Sequence, residues 1–248
     1  KSTLMNKLVG EDLSIITHKA QTTRHRIMGV VTGKDFQIVY SDTPGILKPS
    51  YKLHESMMKF VESALEDADI LVYIVDITDK EKDEEIHARI NALNIPVIIV
   101  INKIDKSNEE ELTEVVEHWH IKFPKARIIP VSALHSFNME ALIKNIVDLL
   151  PESPPFYDKD TLTDKTERFF ASEMIREKIF LNYQQEIPYS TEVIITEFKD
   201  EPKIVRILAY IFVSRDTQKA IILGHKGNSI KKIGTEARKD MEKWLRKK

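Results

Sequence analysis

Apolar and polar residues alternate along the first 150 residues in a pattern that predicts strands and helices in turn. Strand-like apolar segments lie at residues 27–32, 36–41, 70–76, 97–102 and 127–132, with amphipathic helical stretches between them. This alternation is typical of an α/β fold in which helices cover both faces of a mostly parallel sheet. Only residues 33–35 separate the first two segments, which predicts an antiparallel hairpin at the edge of that sheet.

The pattern changes after residue 150, where a proline-rich run at 151–155 predicts the end of a helix and a stiff linker. Beyond it we predict a helix over 167–183, strands over 192–198 and 204–213, and two short helices around 224–227. This α-β-β-α-α order indicates a second, small α+β domain. The sequence therefore predicts a first domain over 1–150, a linker over 151–165 and a second domain over 166–248.

Asn102, Lys103 and Asp105 follow an apolar run, at the carboxyl end of a predicted strand where open α/β sheets bind ligands. A carboxylate at 105 can accept hydrogen bonds from both the ring N–H and the exocyclic amine of guanine, and adenine lacks this pair of donors. Asn102 can brace the loop, and the aliphatic stem of Lys103 can lie over the purine. Ser132 and Ala133 follow the next strand, and their backbone amides can complete the base pocket. These residues predict a guanine-nucleotide site, and a helix-capping loop is the alternative interpretation.

A phosphate site is predicted from residues at the start of the chain and at the end of another strand. Lys1, Ser2 and Thr3 match the end of a G-x-x-x-x-G-K-S loop, whose glycines we interpret as lying before the first residue of this sequence. The Lys1 ammonium would meet phosphate at a helix N-terminus, and the Ser2 hydroxyl would bind Mg²⁺. Asp42 can hold Mg²⁺ through a water molecule, and the amide of Gly45 can approach a terminal phosphate. Taken alone, the motif from 42 to 45 is also compatible with a plain strand-to-turn junction.

A candidate switch loop lies between the first predicted helix and the hairpin. A threonine hydroxyl in this loop can reach Mg²⁺ only when a γ-phosphate is present, and we favour Thr23 over Thr22. Thr23 and Gly45 are the candidate catalytic residues. Ile46 occupies the position after the glycine, where many GTP-binding switches place the glutamine that orients the attacking water. Hydrolysis in this protein must position its water in another way.

A candidate nucleic-acid site lies in the second predicted domain, where Gly224, His225, Lys226 and Gly227 join two short helices. Glycines allow close approach of a single-stranded backbone, and Lys226 and Lys231 supply positive charge. The Gly-x-x-Gly pattern in the α-β-β-α-α order predicts RNA binding. A helix-helix turn without a ligand is the alternative interpretation.

Composition limits the classes of protein that fit this sequence. The 248 residues are 42% hydrophobic and 31% charged, with no apolar run near the roughly 20 residues of a membrane span. No cysteine is present, so disulfides and thiolate metal sites are excluded. Residues 215–248 carry 11 Lys and Arg against 4 Asp and Glu, although the whole chain has a net charge of −2. This basic end indicates a polyanionic partner.

Several motifs in the same order make the chain similar to the Era family of bacterial ribosome-assembly GTPases. The matching segments are residues 1–8, 19–26, 42–45, 102–105, 131–133 and 233–240. The resemblance implies a P-loop GTPase domain with bound GTP or GDP and Mg²⁺, followed by a type II KH domain. It also implies binding to the 3′ end of 16S ribosomal RNA during assembly of the 30S subunit, in a cytoplasmic protein that associates peripherally with the inner face of the plasma membrane. That family has a hydrophobic residue in place of the catalytic glutamine, and Ile46 agrees.

Two differences from the family pattern are interpreted as trimming of the chain. The glycines of the phosphate loop and the last strand of the KH sheet are not in the sequence. We expect a monomer. Two alternative functions also fit the sequence: a related GTPase that acts on another RNA, and an RNA-binding adaptor that does not hydrolyse nucleotide.

Overall fold

The computed structural model of the chain describes residues 1–78 and 84–247 and divides into two compact units. The first unit contains residues 1–14 and 24–163, and the second contains residues 15–23 and 164–248. The short segment 15–23 thus clusters with the second unit although it lies near the start of the sequence. No helix among the described residues is long and apolar enough to cross a membrane.

The first unit alternates helices and strands as the sequence predicts. Its elements are α1 (Ser2–Val9), β1 (Ile27–Thr32), β2 (Gln37–Asp42), α2 (Lys52–Glu66), β3 (Leu71–Asp76), α3 (Glu84–Asn91), β4 (Val97–Asn102), α4 (Glu109–Lys122), β5 (Arg127–Val131) and α5 (Met139–Val147). A short 3₁₀ helix, Ile104–Lys106, follows β4. Asn108 and Glu111 form a capping box that starts α4.

Strand β4 carries the centre of the first unit's core. It pairs in parallel with β3 on one side and β5 on the other, and Ile98 to Ile101 are completely buried. Ile98 and Val100 belong to the apolar cluster formed with α1 and α5, whereas Ile99 and Ile101 belong to the cluster formed with α3 and α4. Both faces of the strand are therefore covered, which explains its continuous apolar sequence.

The hairpin β1–β2 differs from the prediction in one respect. Its antiparallel pairing is confirmed, with Gly29 opposite Tyr40, but among the described residues it forms a sheet separate from β3–β4–β5. A cavity of about 1500 Å³ lies between the two sheets. Consecutive residues 37–42 of β2 and 71–74 of β3 line it, so the edges of both strands border the cavity.

Residues 156–163, which follow the proline-rich run, lie against this hairpin. The amide of Val30 donates to the carbonyl of Leu162, and the Thr163 hydroxyl donates to the carbonyl of Met28. The side chain of Gln37 binds the backbone of Phe156 and Tyr157. These bonds tie residues 156–163 to the first unit.

The second unit has the predicted α-β-β-α-α order. Its elements are α6 (Glu167–Asn182), β6 (Thr191–Asp200), β7 (Val205–Val213), α7 (Asp216–Leu223) and α8 (Asn228–Leu245). The strands form an antiparallel pair, and alternate residues of β6 such as Val193 and Ile195 face the helices. The core is formed by Ile179 of α6, Ile222 of α7 and Ile233 of α8 together with Val193.

Candidate functional site

Residues at the start of α1 and at the end of β2 lie together in the first unit. The Ser2 hydroxyl donates a hydrogen bond to Oδ2 of Asp42 at 2.8 Å. The Lys1 ammonium donates to the carbonyls of Thr43 and Pro44, at 2.6 and 3.1 Å. Desolvation lowers the pKa of the Lys1 ammonium, and the nearby Asp42 carboxylate opposes that shift. Thr3 follows in the first turn of α1.

Asp42 has the chemistry expected of a group that faces Mg²⁺ through water. Asp42 is only 2% exposed, and its Oδ1 has no hydrogen-bond partner in the part of the chain that the structure describes. A buried, unpaired carboxylate oxygen is costly unless a cation or water satisfies it. The Ser2 hydroxyl binds the other oxygen of the same carboxylate, so the donor set of Ser2 and Asp42 fits the ion.

Gly45 and Ile46 continue the same loop at the surface. A Cβ added at Gly45 would meet no heavy atom within 4 Å, so protein packing does not require glycine there. The open space allows a phosphate to approach the backbone. Ile46 is 40% exposed and offers no polar side-chain atom.

The candidate base pocket joins the ends of β4 and β5. Oδ1 of buried Asn102 accepts a hydrogen bond from the amide of Ala133 at 3.0 Å. The Ser132 hydroxyl donates to Oδ1 of Asp105 at 2.5 Å, and this bond lowers the pKa of the Asp105 carboxyl. Asp105 thus stays ionised while its second oxygen, Oδ2, can face a ligand. Lys103, which lies between Asn102 and Asp105 in the sequence, has the left-handed backbone conformation, with φ 66°.

Asp76 lies beside the candidate base pocket, and it was not predicted from the sequence. It ends β3 directly opposite Asn102 in the parallel register, and its carboxylate pairs with the Lys103 ammonium. The adjacent parallel register is the signal that could have found it, because the residue opposite Asn102 must lie at the same sheet edge. A search for known motifs alone does not reveal it.

The candidate switch segment lies in the second unit, unlike Ser2 and Asp42. Thr22 and Thr23 are both buried, and the Thr22 hydroxyl bonds to the hydroxyl of Thr17 and the carbonyl of Lys19. The Lys19 ammonium donates to the carbonyls of Phe180 and Tyr183 at the C-terminal end of α6. A cation at the C-terminal end of a helix complements the last carbonyls and the helix dipole. Lys19 thus fastens segment 15–23 to α6.

The Gly-x-x-Gly turn has the backbone geometry that its sequence suggests. Gly224 (φ 67°), Lys226 (φ 53°) and Gly227 (φ 77°) all have positive φ, and they connect α7 to α8 through the 3₁₀ helix His225–Gly227. A Cβ at Gly224 would lie 2.1 Å from the Ser229 hydroxyl oxygen, whereas a Cβ at Gly227 would meet nothing within 4 Å. The side chains of His225, Lys226 and Lys231 are exposed around the N-terminus of α8. This arrangement can bind phosphate groups.

Two family models match the chain in the same order as the two sites. Residues 1–103 match the family described as 50S ribosome-binding GTPase, and residues 186–248 match the KH domain.

Relatives match nearly the whole chain. A GTPase Era from Pseudomonas aeruginosa is 42% identical over 245 residues, which is 98% of this chain and 80% of the relative. A GTPase Era from Clostridium kluyveri is 40% identical over 248 residues, covering 99% of this chain and 85% of the relative.

Solved structures agree with these sequence matches. Era in complex with MgGDPNP and nucleotides 1506–1542 of 16S ribosomal RNA superposes with a TM-score of 0.94 at 40% identity, covering 98% of this chain and 84% of that one. A single-residue variant of Aquifex aeolicus Era bound to GDP.AlF4⁻ has the same TM-score and identity, with coverage of 98% and 85%. Both comparisons include the two units described above.

Proposed function

This chain belongs to the Era family of GTPases, and from that premise we propose that it couples GTP hydrolysis to binding of the 3′ end of 16S ribosomal RNA during 30S assembly. It uses GTP and Mg²⁺ and releases GDP and phosphate. The observation that carries the proposal is a base pocket closed by two hydrogen bonds, one between Asn102 and Ala133 and one between Asp105 and Ser132. The same chain has a Gly-x-x-Gly turn between two helices.

In the proposed GTP site each residue has one task. Lys1 binds the phosphates with Thr3 beside it, and Ser2 and Asp42 hold Mg²⁺, Asp42 through a water molecule. Bound Mg²⁺ neutralises negative charge on the phosphate oxygens. Thr23 joins the site when a γ-phosphate is present, and the amide of Gly45 contacts that phosphate.

The base pocket gives guanine specificity in this proposal. Asp105 accepts the two guanine N–H donors, Asn102 fixes the loop through Ala133, and Ser132 orients Asp105. Lys103 covers the purine. Ile46 orients no water because its side chain is apolar, so backbone and switch-loop groups position the nucleophile.

The RNA site is proposed at the turn formed by Gly224, His225, Lys226 and Gly227, with Lys231 on the first turns of α8. The exposed cations and the open space at Gly227 support a single-stranded phosphate backbone as the ligand. Residues 1–150 then act as the GTPase domain, 151–165 as the linker and 166–248 as the KH domain.

Hydrolysis assays with a defined RNA test the proposal. We expect turnover of GTP but not ATP, and tight binding of a short single-stranded RNA with the 3′-terminal 16S sequence. A scrambled RNA of equal length and composition is the control. GTP turnover with equal affinity for both RNAs would favour a GTPase that acts on another RNA. RNA binding without GTP turnover would favour the adaptor alternative.

The proposal extends to location and assembly state. The excess of positive charge over residues 215–248 supports peripheral contact with an anionic membrane surface by a cytoplasmic, monomeric protein. Sedimentation with vesicles that contain phosphatidylglycerol, compared with neutral vesicles, tests the membrane contact. Sedimentation equilibrium tests the monomeric state.

A further inference from the structure

The two oxygens of the Asp76 carboxylate have different partners. Oδ1 accepts from the amide of Thr78 at 3.0 Å and from its hydroxyl at 2.8 Å, which closes a turn directly after β3. Oδ2 pairs with the Lys103 ammonium. Thr78 therefore fixes the orientation of the carboxylate, and the oxygen that remains is directed to one side chain of the base pocket.

Lys103 needs such a partner to keep one position. Its side chain is 47% exposed, and a lysine has more rotamer freedom to lose than most residues. Its backbone is fixed on both sides, because Asn102 lies in β4 and the Lys103 carbonyl accepts from the amide of Lys106 at 3.0 Å. Only the side chain is left to be oriented. Asp76 is the less exposed partner, at 17%, and belongs to a paired strand.

We propose that Asp76 is a positioning residue for the guanine nucleotide, because its ion pair with Lys103 holds the aliphatic stem of Lys103 over one face of the purine. The proposal rests on the GTP site described above and extends it by a residue outside the motif at 102–105. Asp76 does not touch the base. It acts on the stacking contact, which every purine offers, whereas Asp105 acts on the hydrogen-bonding edge that distinguishes guanine.

Nucleotide titrations with the intact protein separate these roles. Asp76→Asn keeps an oxygen for the Thr78 hydrogen bonds but loses the charge that pairs with Lys103. We expect it to raise the Kd of GDP and of inosine diphosphate by the same factor, about threefold to fivefold. Asp76→Glu retains the charge and should recover much of the affinity. The loss should appear in the KM for GTP and not in the rate of the chemical step measured in a single turnover, because the ion pair lies at the base and not at the phosphates.

A double mutant and a matched control complete the test. Lys103→Ala alone and Lys103→Ala with Asp76→Asn should have equal GDP affinity, since Asp76 acts through Lys103. The control Asp148→Asn removes a surface carboxylate of the same unit that lies 3.8 Å from Arg127, and it should leave GDP affinity unchanged.

Three results would overturn the inference. Wild-type GDP affinity in Asp76→Asn would limit Asp76 to its turn with Thr78. Additive effects in the double mutant would show that it acts independently of Lys103. A larger loss for GDP than for inosine diphosphate would place it at the hydrogen-bonding edge. Absence of GDP binding by the wild-type protein would instead reject the GTP site itself.

Discussion

At the scale of single residues, the proposed function gives Asp105 and Ile46 different roles. Asp105 is held by Ser132 through one oxygen, which fixes the orientation of the carboxylate and leaves Oδ2 for a ligand. Ile46 stands in the loop after Asp42 with an exposed apolar side chain. In the proposed site Asp105 determines which nucleotide binds, whereas the apolar Ile46 requires other groups to position the water.

Asp105→Asn should change the preference from guanine toward xanthine nucleotides. The carboxylate that accepts two guanine N–H bonds becomes an amide, which can donate to the 2-oxygen of xanthine. We expect GDP affinity to fall at least about tenfold while the affinity for xanthosine diphosphate rises, as measured by titration calorimetry. Unchanged GDP affinity would remove Asp105 from the base pocket.

Ile46→Ala should leave nucleotide affinity unchanged and alter turnover only slightly. The side chain has no polar atom that could orient water, and it is 40% exposed, so its loss opens no buried cavity. Single-turnover hydrolysis and GDP affinity are the measurements. Loss of hydrolysis with intact GTP affinity would assign Ile46 a direct role in shielding or positioning the nucleophile.

At the scale of elements, the turn between α7 and α8 allows a clean test of RNA binding. Gly227 has positive φ and open space beyond it, so Asn or Asp at this position differ from each other only by a charge. Gly224 does not allow this comparison, because any side chain would collide with Ser229. The charge effect at Gly227 can therefore be separated from the effect on folding.

Gly227→Asp should weaken RNA binding sharply, and Gly227→Asn should weaken it much less. Lys226→Glu should act like the Asp variant, since both place negative charge next to the phosphodiester backbone. Each lost phosphate contact should also reduce the log-log salt slope by about 0.7. GDP affinity should stay constant in all three variants. RNA affinity that is equal in the Asp and Asn variants would reject the turn as the backbone clamp.

The elements themselves were largely predictable from the sequence. The bounds of β4 match the prediction, and those of β3, β5, β6 and β7 differ from it by one to two residues. The antiparallel hairpin followed from the short turn at 33–35, and the α-β-β-α-α order of the second unit was correct. Local apolar periodicity determines these features, so they are visible without knowledge of long-range contacts.

Features that depend on long-range contacts were not predictable in the same way. The ion pair of Asp76 with Lys103 depends on the register of two parallel strands, and the clustering of segment 15–23 with α6 depends on where Lys19 finds its acceptors. The separation of β1–β2 from the other sheet was also missed. Motifs locate the strand ends that carry chemistry, whereas strand register decides which further residues lie beside them.

At the scale of the whole molecule, the proposed mechanism gives segment 15–23 a part in both functions. It carries Thr23, the proposed Mg²⁺ ligand, and it is fastened to the second unit through Lys19. The proposed coupling assumes that Thr23 moves when a γ-phosphate binds and that this movement changes the contacts of Lys19, four residues away in sequence, with α6. Binding of GTP and binding of RNA would then involve one shared structural element, which is the physical requirement for coupling between them.

A non-hydrolysable GTP analogue should raise RNA affinity relative to GDP, and RNA should raise affinity for the analogue by the same factor. Lys19→Ala should bring this factor closer to one because it removes the two bonds to α6. Lys199→Ala, which removes a surface cation of the same unit beside Glu197, is the control. Equal RNA dissociation constants in both nucleotide states of the wild-type protein would reject the coupling.

The pairing of β4 on both sides has a consequence for hydrogen exchange. Strand β4 lies between β3 and β5 and is completely buried over 98–101. Its amides should therefore exchange with deuterium only when the first unit unfolds, far more slowly than the amides of the exposed turn residues Lys34 and Asp35. Amide protection in β4 would then measure the free energy of unfolding of the first unit, independently of any nucleotide or RNA assay.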